Sequence, residues 1–402
     1  MLELLGPMFF GMGAGIVTGL LPGLHPNSVV FLLLPLYFRT GVDVSIFLGF
    51  TTGMATVHTF VSFIPSVFVG APEGETALSV LPGHSMLQEG RGLEAVELTV
   101  YGGLLSSLIA LISLPLLFLM IPPLYGFLSN YMHFLLLTVV VYMIWKEENR
   151  TGAVLVTVLS ALLGLAALNS PITNTQYVLF PLFAGMFGLS VIITGILEGG
   201  SAPSQGRSLP VNVDQTVKGG FLGFFAGVMA GFLPGLGSSQ SALLVKEMGD
   251  TGIEDFLVTM GGITTADLFF SLIALYVIGN PRSGAAVAIQ QVMPEVTLHT
   301  ILQVVGMCMV GIGTGAMVTR RIGREAASYI QRLDYKKLMY FVIGFVIVGS
   351  YLLNGWFGLL VLASSTGIGL MAASSKVKRS HCMASLIIPT ILYYAGISFP
   401  LI

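Results

Sequence analysis

The chain has 402 residues, 54% of them hydrophobic and 9% charged, with a formal net charge of −2 and a mean hydropathy of +0.90. A soluble domain carries about 25% charged residues, so a water-facing globule is excluded and the bilayer interior is the matching solvent. Seventeen Lys and Arg spread over short loops are no nucleic-acid patch, and Cys308 and Cys382 are no disulfide framework but small apolar packing residues.

The N-terminal stretch lacks a basic leader, and its Pro22-Gly23 reappears in mid-chain, so it reads as mature structure rather than a cleaved signal. Charge-free apolar runs follow at 60–69, 104–121, 134–145, 153–168 and 339–353. A helix crosses the hydrocarbon core with roughly 20 apolar residues, and many stretches here approach or reach that length. The fold class expected is an all-α polytopic membrane protein. Its 50 glycines serve close helix packing first.

An internal repeat divides the chain. At an offset of 212 residues (22 to 234), Gly11, Ala14, Gly15 and Gly19 meet Gly223, Ala226, Gly227 and Gly231. Leu21-Pro22-Gly23-Leu24 then falls on Leu233-Pro234-Gly235-Leu236. At an offset of 209 (53 to 262), Gly53, Thr56 and Ser62 meet Gly262, Thr265 and Ser271, and Gly70-Ala71-Pro72 meets Gly279-Asn280-Pro281. Pro181, Gly188 and Ser190 match Pro389, Gly396 and Ser398 at 208 (181 to 389). Residues 1–200 and 215–402 are therefore expected as two transmembrane repeats, joined by a Gly/Ser/Pro-rich linker at 198–214.

Basic residues mark the cytoplasmic side. In the second half they gather at Arg320, Arg321, Arg324, Arg332, Lys336 and Lys337, and again at Lys376, Lys378 and Arg379, with the uncharged turn Asn354-Gly355 between. In the first half the outer turns, Ile121-Pro122-Pro123 and 169–176, carry none, while the middle turn has Lys146 and Arg150. The repeats are thus expected to be inverted. Counting crossings between Lys218 and Arg320 then favours, over a kinked spanning helix, a re-entrant hairpin at 219–248 folded back at 234–239, with arms of about 15 and 10 residues, roughly 22 and 15 Å long. Residues 6–38 form the matching hairpin, and about five spanning helices complete each half.

Non-helical backbone at membrane depth persists only where protein or water satisfies it. Each hairpin tip opens a helix whose first N–H groups lack partners and whose dipole favours an anion. The tips, with Pro22, Gly23, His25, Asn27, Ser28 and Pro234, Gly235, Gly237, Ser238, Ser239, Gln240, Ser241, are the expected substrate site. Helix capping by the same side chains is the plainer role. His58 and Asp267 match at offset 209 and stand inside apolar helices, where ionisable residues mark function by default. With Thr56, Thr264 and Thr265 beside them they would hold a coupling Na⁺ or H⁺, or else an interhelical hydrogen bond. A third polar set, Glu73, Glu75, Thr76, Pro82, His84 and Gln88 to Gly92, reads as a solvated loop or, through Arg91, as a cation near a substrate path, with Lys246 and Arg91 both further out than the tips. A nucleophile with its base is missing around His58 and Asp267, so an enzyme is not expected. No cofactor is implied beyond the coupling ion.

These motifs resemble the large membrane subunit of the tripartite tricarboxylate transporters, in its short archaeal-type branch. The likeness is carried by Gly15-Ile-Val-Thr-Gly-Leu-Leu-Pro-Gly-Leu24, by Gly70-Ala-Pro-Glu-Gly-Glu-Thr76, by Gly83-His-Ser-Met-Leu-Gln-Glu-Gly-Arg-Gly92 and by 227–237 with the second Pro-Gly-Leu-Gly. The resemblance implies cation-coupled uptake of di- or tricarboxylates by alternating access, with a small membrane subunit and an extracytoplasmic binding protein. A homodimer is a further assembly to consider. A Pro-Gly turn opening a polar hairpin is also similar to the polyprenyl-phosphate translocases, for which a lipid phosphate would take the same tips.

The inverted arrangement makes a direct prediction. Single cysteines at Asn354 and Arg324 should react with an impermeant thiol reagent from opposite membrane faces; labelling of both from one face would refute it.

Overall fold

The computed structural model describes residues 2–21, 24–71, 75–173, 175–197, 213–233, 236–248, 252–279, 281–330 and 335–397. All regular elements among them are helical. In the first half these are α1 (Leu2–Leu20), α2 (Pro26–Thr40), α3 (Val44–Val61), α4 (Phe63–Phe68), α5 (Val80–Gln88), α6 (Gly92–Leu128), α7 (Met132–Lys146), α8 (Arg150–Leu168), α9 (Thr175–Phe183) and α10 (Ser190–Leu197). The second half has α11 (Val213–Phe232), α12 (Ser238–Met248), α13 (Ile253–Val277), α14 (Gly284–Val292), α15 (Leu298–Ile330), α16 (Tyr335–Ser374) and α17 (Ala384–Tyr394). Seven described helical stretches are long and apolar enough to cross a membrane, and three shorter apolar helices accompany them. Large apolar side chains such as Phe10, Leu119, Phe134 and Trp356 remain exposed on helix faces, which a bilayer tolerates and water does not.

Two boundaries differ from expectation. Ile121-Pro122-Pro123 is not a turn but lies inside α6, which runs unbroken for 37 residues. Proline removes one N–H and strains one preceding carbonyl, a defect that an apolar, lipid-embedded helix accommodates. The first hairpin arms are also longer than read: α1 has 19 residues and α11 has 20. Asn354-Gly355 does break the chain, with Gly355 at φ 58° and ψ −148°. The Ser350 carbonyl comes within contact of Gly358, although eight helical residues would separate them by about 12 Å. α16 is therefore two arms folded at this glycine.

Glycine decides how closely the helices lie. α1 packs along α3 and α11 along α13 through matching contacts. A Cβ on Gly11 would strike the Phe50 carbonyl and one on Gly223 the Thr259 carbonyl. Gly15 and Gly227 abut the Cβ atoms of Val57 and Ala266, and Gly19 and Gly231 those of Val61 and Phe270. Between the halves the contacts cross. Thr56 of α3 fills the space at Gly311 of α15, and Thr265 of α13 fills that at Gly103 of α6. The two halves consequently interdigitate rather than stand apart.

Turns also meet across the halves. Glu147, after α7, accepts the Lys378 N–H at 3.2 Å and lies 3.5 Å from His381 Nε2, while Asn149 Nδ2 donates to the Ser375 carbonyl at 3.0 Å. Asn354, in turn, donates to the Tyr177 carbonyl at 3.0 Å and accepts from Thr173 Oγ1. The turn at 146–150 thus sits beside 375–381, and Thr173 and Tyr177 beside Asn354. Asn354 is only 9% exposed whereas Ile172 is 71% exposed, so Ile172 is the better labelling position for that turn.

Close approach of α6 and α13 is the tightest of these constraints, since Gly102 faces the Val258 carbonyl and Gly261 the Thr99 carbonyl. Overpacking such a seam costs about 1–3 kcal/mol. Gly102→Val should lower the melting temperature of the detergent-purified protein, whereas Gly13→Val, with open space around it, should not. Equal melting temperatures for the two variants would contradict this packing.

Candidate functional site

Both Pro-Gly tips close in the same way. Pro22, Gly23, Pro234 and Gly235 lie outside the described residues, but the flanking leucines show the turn: the Leu24 N–H donates to the Leu21 carbonyl at 3.1 Å, and the Leu236 N–H to the Leu233 carbonyl at 3.4 Å. A four-residue turn with Pro then Gly at its centre suits this bond. The chain leaves each turn into a new helix whose first N–H groups must find acceptors. At α2, His25 Nδ1 accepts the Asn27 N–H at 3.2 Å. At α12, Gln240 Oε1 reaches back to accept the Gly237 N–H at 3.0 Å.

These tips border one cavity of about 140 Å³. His25, Asn27, His58 and Glu75 from the first half line it together with Gly237, Ser238, Asp267, Ser271, Arg282 and Ser283 from the second. Asp267 accepts hydrogen bonds from Ser238 Oγ at 2.7 Å and Ser271 Oγ at 3.2 Å. Ser271 lies one helical turn beyond Asp267, on the same face of α13. On the opposite side, His25 Nε2 meets Glu75 Oε1 at 3.2 Å. Because Nδ1 accepts the backbone N–H, Nε2 carries the hydrogen that Glu75 accepts. The rings of His25 and His58 stand 5.1 Å apart, edge to face, and His58 Nδ1 bonds to Thr18 Oγ1 at 3.1 Å.

Each tip is also tied to the other half. Asn27 Oδ1 accepts the Ala285 N–H at 2.9 Å, at the start of α14. Ser239 Oγ donates to the Glu75 carbonyl at 3.3 Å. Asn27 and Ser239 match at the offset of 212, and each ties its tip to a connection of the other half, the first by accepting from and the second by donating to main chain.

Several residues expected at the site are elsewhere. Ser239, Gln240 and Ser241 do not line the cavity: the first two make the bonds just given, and Ser241 is buried behind the tip. Ser28 has no described side chain. Thr264 and Thr265 donate to helix carbonyls of Met260 and Gly261, and Thr56 to that of Thr52 at 2.7 Å. Thr265 and Thr56 face the glycines of the facing helices and do not line the cavity. Arg91 is bound by Glu94 at 2.6 Å and by Glu254, at the far end of α13 from Asp267.

The cation of this site is Arg282, which sequence reasoning missed. Its guanidinium lies over the Tyr125 ring at 5.0 Å, and its Nε and Nη2 are buried with no hydrogen-bond partner among the described residues. The offset of 209, carried one residue past Pro72 and Pro281, sets Arg282 against Glu73 and would have found it. Glu75, which reads in the sequence as part of a solvated loop, instead lines the cavity and accepts from His25 of the first tip.

The arrangement is a small polar chamber inside an apolar helix assembly, lined among the described residues by one fixed cation, two carboxylates and two imidazoles. Comparison with known proteins agrees with a transport role. No solved structure matches the chain. Over 399 residues it is 33% identical to an uncharacterized protein, MJ1079, of Methanocaldococcus jannaschii, covering 96% of this chain and 98% of the relative. Residues 5–384 match the tripartite tricarboxylate transporter TctA family. With seven membrane-length helices and a family match over nearly its whole length, the chain is a multi-pass membrane protein that belongs to the tripartite tricarboxylate transporter TctA family.

Proposed function

We propose that the chain is a secondary transporter that takes one carboxylate end of a di- or tricarboxylate onto Arg282, between the two Pro-Gly tips. The observation that carries this reading is the guanidinium in the cavity wall with two buried, unbonded nitrogens. A buried N–H without a partner costs about 1–3 kcal/mol, and a planar fork of donors matches a carboxylate in two bonds. Family membership supports the substrate class, and it supports a small membrane subunit and an extracytoplasmic binding protein as partners.

Charge balance argues for coupling. Asp267 and Glu75 already face the cavity, so a further anion there must arrive with cations or protons. Asp267, held by two serine hydroxyls and reachable from the cavity, is the proposed ion or proton carrier. Alternating access follows from inverted repeats with re-entrant hairpins. The crossed contacts support that geometry: Thr56 with Gly311 against Thr265 with Gly103, and Asn27 with Ala285 against Ser239 with Glu75. Repeat-related turns lie in opposite neighbourhoods, which an in-plane two-fold relation would produce.

Binding of citrate, succinate and a polyprenyl phosphate to the purified protein, with and without Na⁺, tests the substrate class. Arg282→Gln should weaken carboxylate binding by about 3 kcal/mol, near 100-fold, and Arg282→Lys should recover part of it. Binding of the lipid phosphate alone would overturn the reading in favour of lipid-carrier translocation.

A separate measurement addresses coupling. In proteoliposomes, Asp267→Asn should abolish gradient-driven uptake while leaving substrate exchange measurable. Uptake that still follows the ion gradient in this variant would remove Asp267 from the coupling step.

A further inference from the structure

A second, larger cavity of about 610 Å³ opens at the other end of α12. It is lined by Pro82, His84, Ser85 and Gln88 of α5, by Val191 and Thr194 of α10, and by Lys246, Phe256, Ala373 and Arg379. None of its described lining residues is acidic. Lys246 stands over the Phe256 ring at 5.3 Å, which holds the ammonium at the wall. Arg379 follows α16 in the turn that packs beside Glu147 and Asn149, and the mouth of the cavity includes Gly252 and Ile253 at the start of α13. That end of α13 also carries the Arg91–Glu254 and Lys218–Asp255 pairs. The cavity therefore opens on the charge-rich face of the molecule.

The same elements connect it to the central chamber. Ser238 at one end of α12 borders the first cavity and Lys246 the second; eight helical residues place them about 12 Å apart along the axis. The first-half chain runs in parallel, from Glu75 in the chamber to the α5 side chains in the vestibule.

We propose that this vestibule is a second anion station, in which Lys246 and Arg379 hold a hydrated carboxylate before or after its passage through the central chamber. Only the identity of the anion rests on the function proposed above; the station itself follows from the cavity, its cations and its position at the end of α12. The vestibule is the wider cavity and opens beside the charged pairs at the start of α13, so its attraction should be screened by salt over a length of about 10 Å at 0.1 M.

Calorimetric titration of citrate into the purified protein tests this, using Arg282→Gln as the background that weakens the central site. That variant should keep a second, salt-sensitive binding event. Adding Lys246→Gln or Arg379→Gln should weaken this event about tenfold each, the effect of losing one charge-assisted bond. The pair Lys246→Arg and Arg379→Lys should preserve it, which separates charge from folding. Residual binding that ignores both glutamine substitutions, or that is absent from the Arg282→Gln protein, would overturn the station. A central site that fails shows differently: wild type and Arg282→Gln would then bind citrate alike, whatever the vestibule variants do.

Discussion

Each helix that breaks inside this protein leaves backbone N–H groups where lipid offers no acceptor, and around the chamber the structure answers the breaks with side chains. His25 takes the N–H of Asn27, Gln240 that of Gly237, Asn27 that of Ala285 and Ser283 that of Ala286 at 3.2 Å. In hydrocarbon an unsatisfied group of this kind costs several kcal/mol. The polar residues that meet this demand are therefore concentrated where helices end, and the helix ends of both halves converge. The chamber is the by-product of that convergence. A binding site arises because the backbone needs polar company at this depth.

Convergence in turn requires close packing. Gly11, Gly15 and Gly19 let α1 lie against α3 along its length, and Gly223, Gly227 and Gly231 do the same for α11 and α13. The seams of α6 with α13 and of α3 with α15 then lock one half into the other. Tips tied across the halves by Asn27 and Ser239 cannot move independently of the loops they touch. Any motion that opens the chamber on one face must break or carry these bonds.

The parts of this organisation that rest on backbone chemistry were legible in sequence. Pro-Gly between leucines announces a turn, and its recurrence with glycines at the same spacing announces a repeat; both tips close with the bond such a turn makes. His25, Asn27, Ser238, His58 and Asp267 could be named because polarity in an apolar run is conspicuous. Orientation was not legible. Thr265 is two residues from Asp267, but two helical residues turn about 200° around the axis, so it faces α6. Nor does the sequence show that the Thr264 hydroxyl returns to the helix carbonyls of Met260 and Gly261. Glu75 and Arg282 lie in short polar connections, and such connections on a linear chain look like solvated loops. Only the folding of both beneath the tips makes them part of a chamber.

The two tips are sealed by different chemistry. At α2 the acceptor is an imidazole nitrogen, and at α12 it is a carboxamide oxygen. A carboxamide keeps its lone pairs at any physiological acidity. An imidazole nitrogen that takes up a proton has none left to offer, and the Asn27 N–H then loses its acceptor. The two tips are thus unequal in what can unlatch them: a proton on His25 Nδ1 would release the Asn27 N–H and leave the bond between Gln240 and Gly237 untouched. The two latching groups are not even repeat partners: at the offset of 212 His25 falls on Gly237, and Gln240 on Ser28.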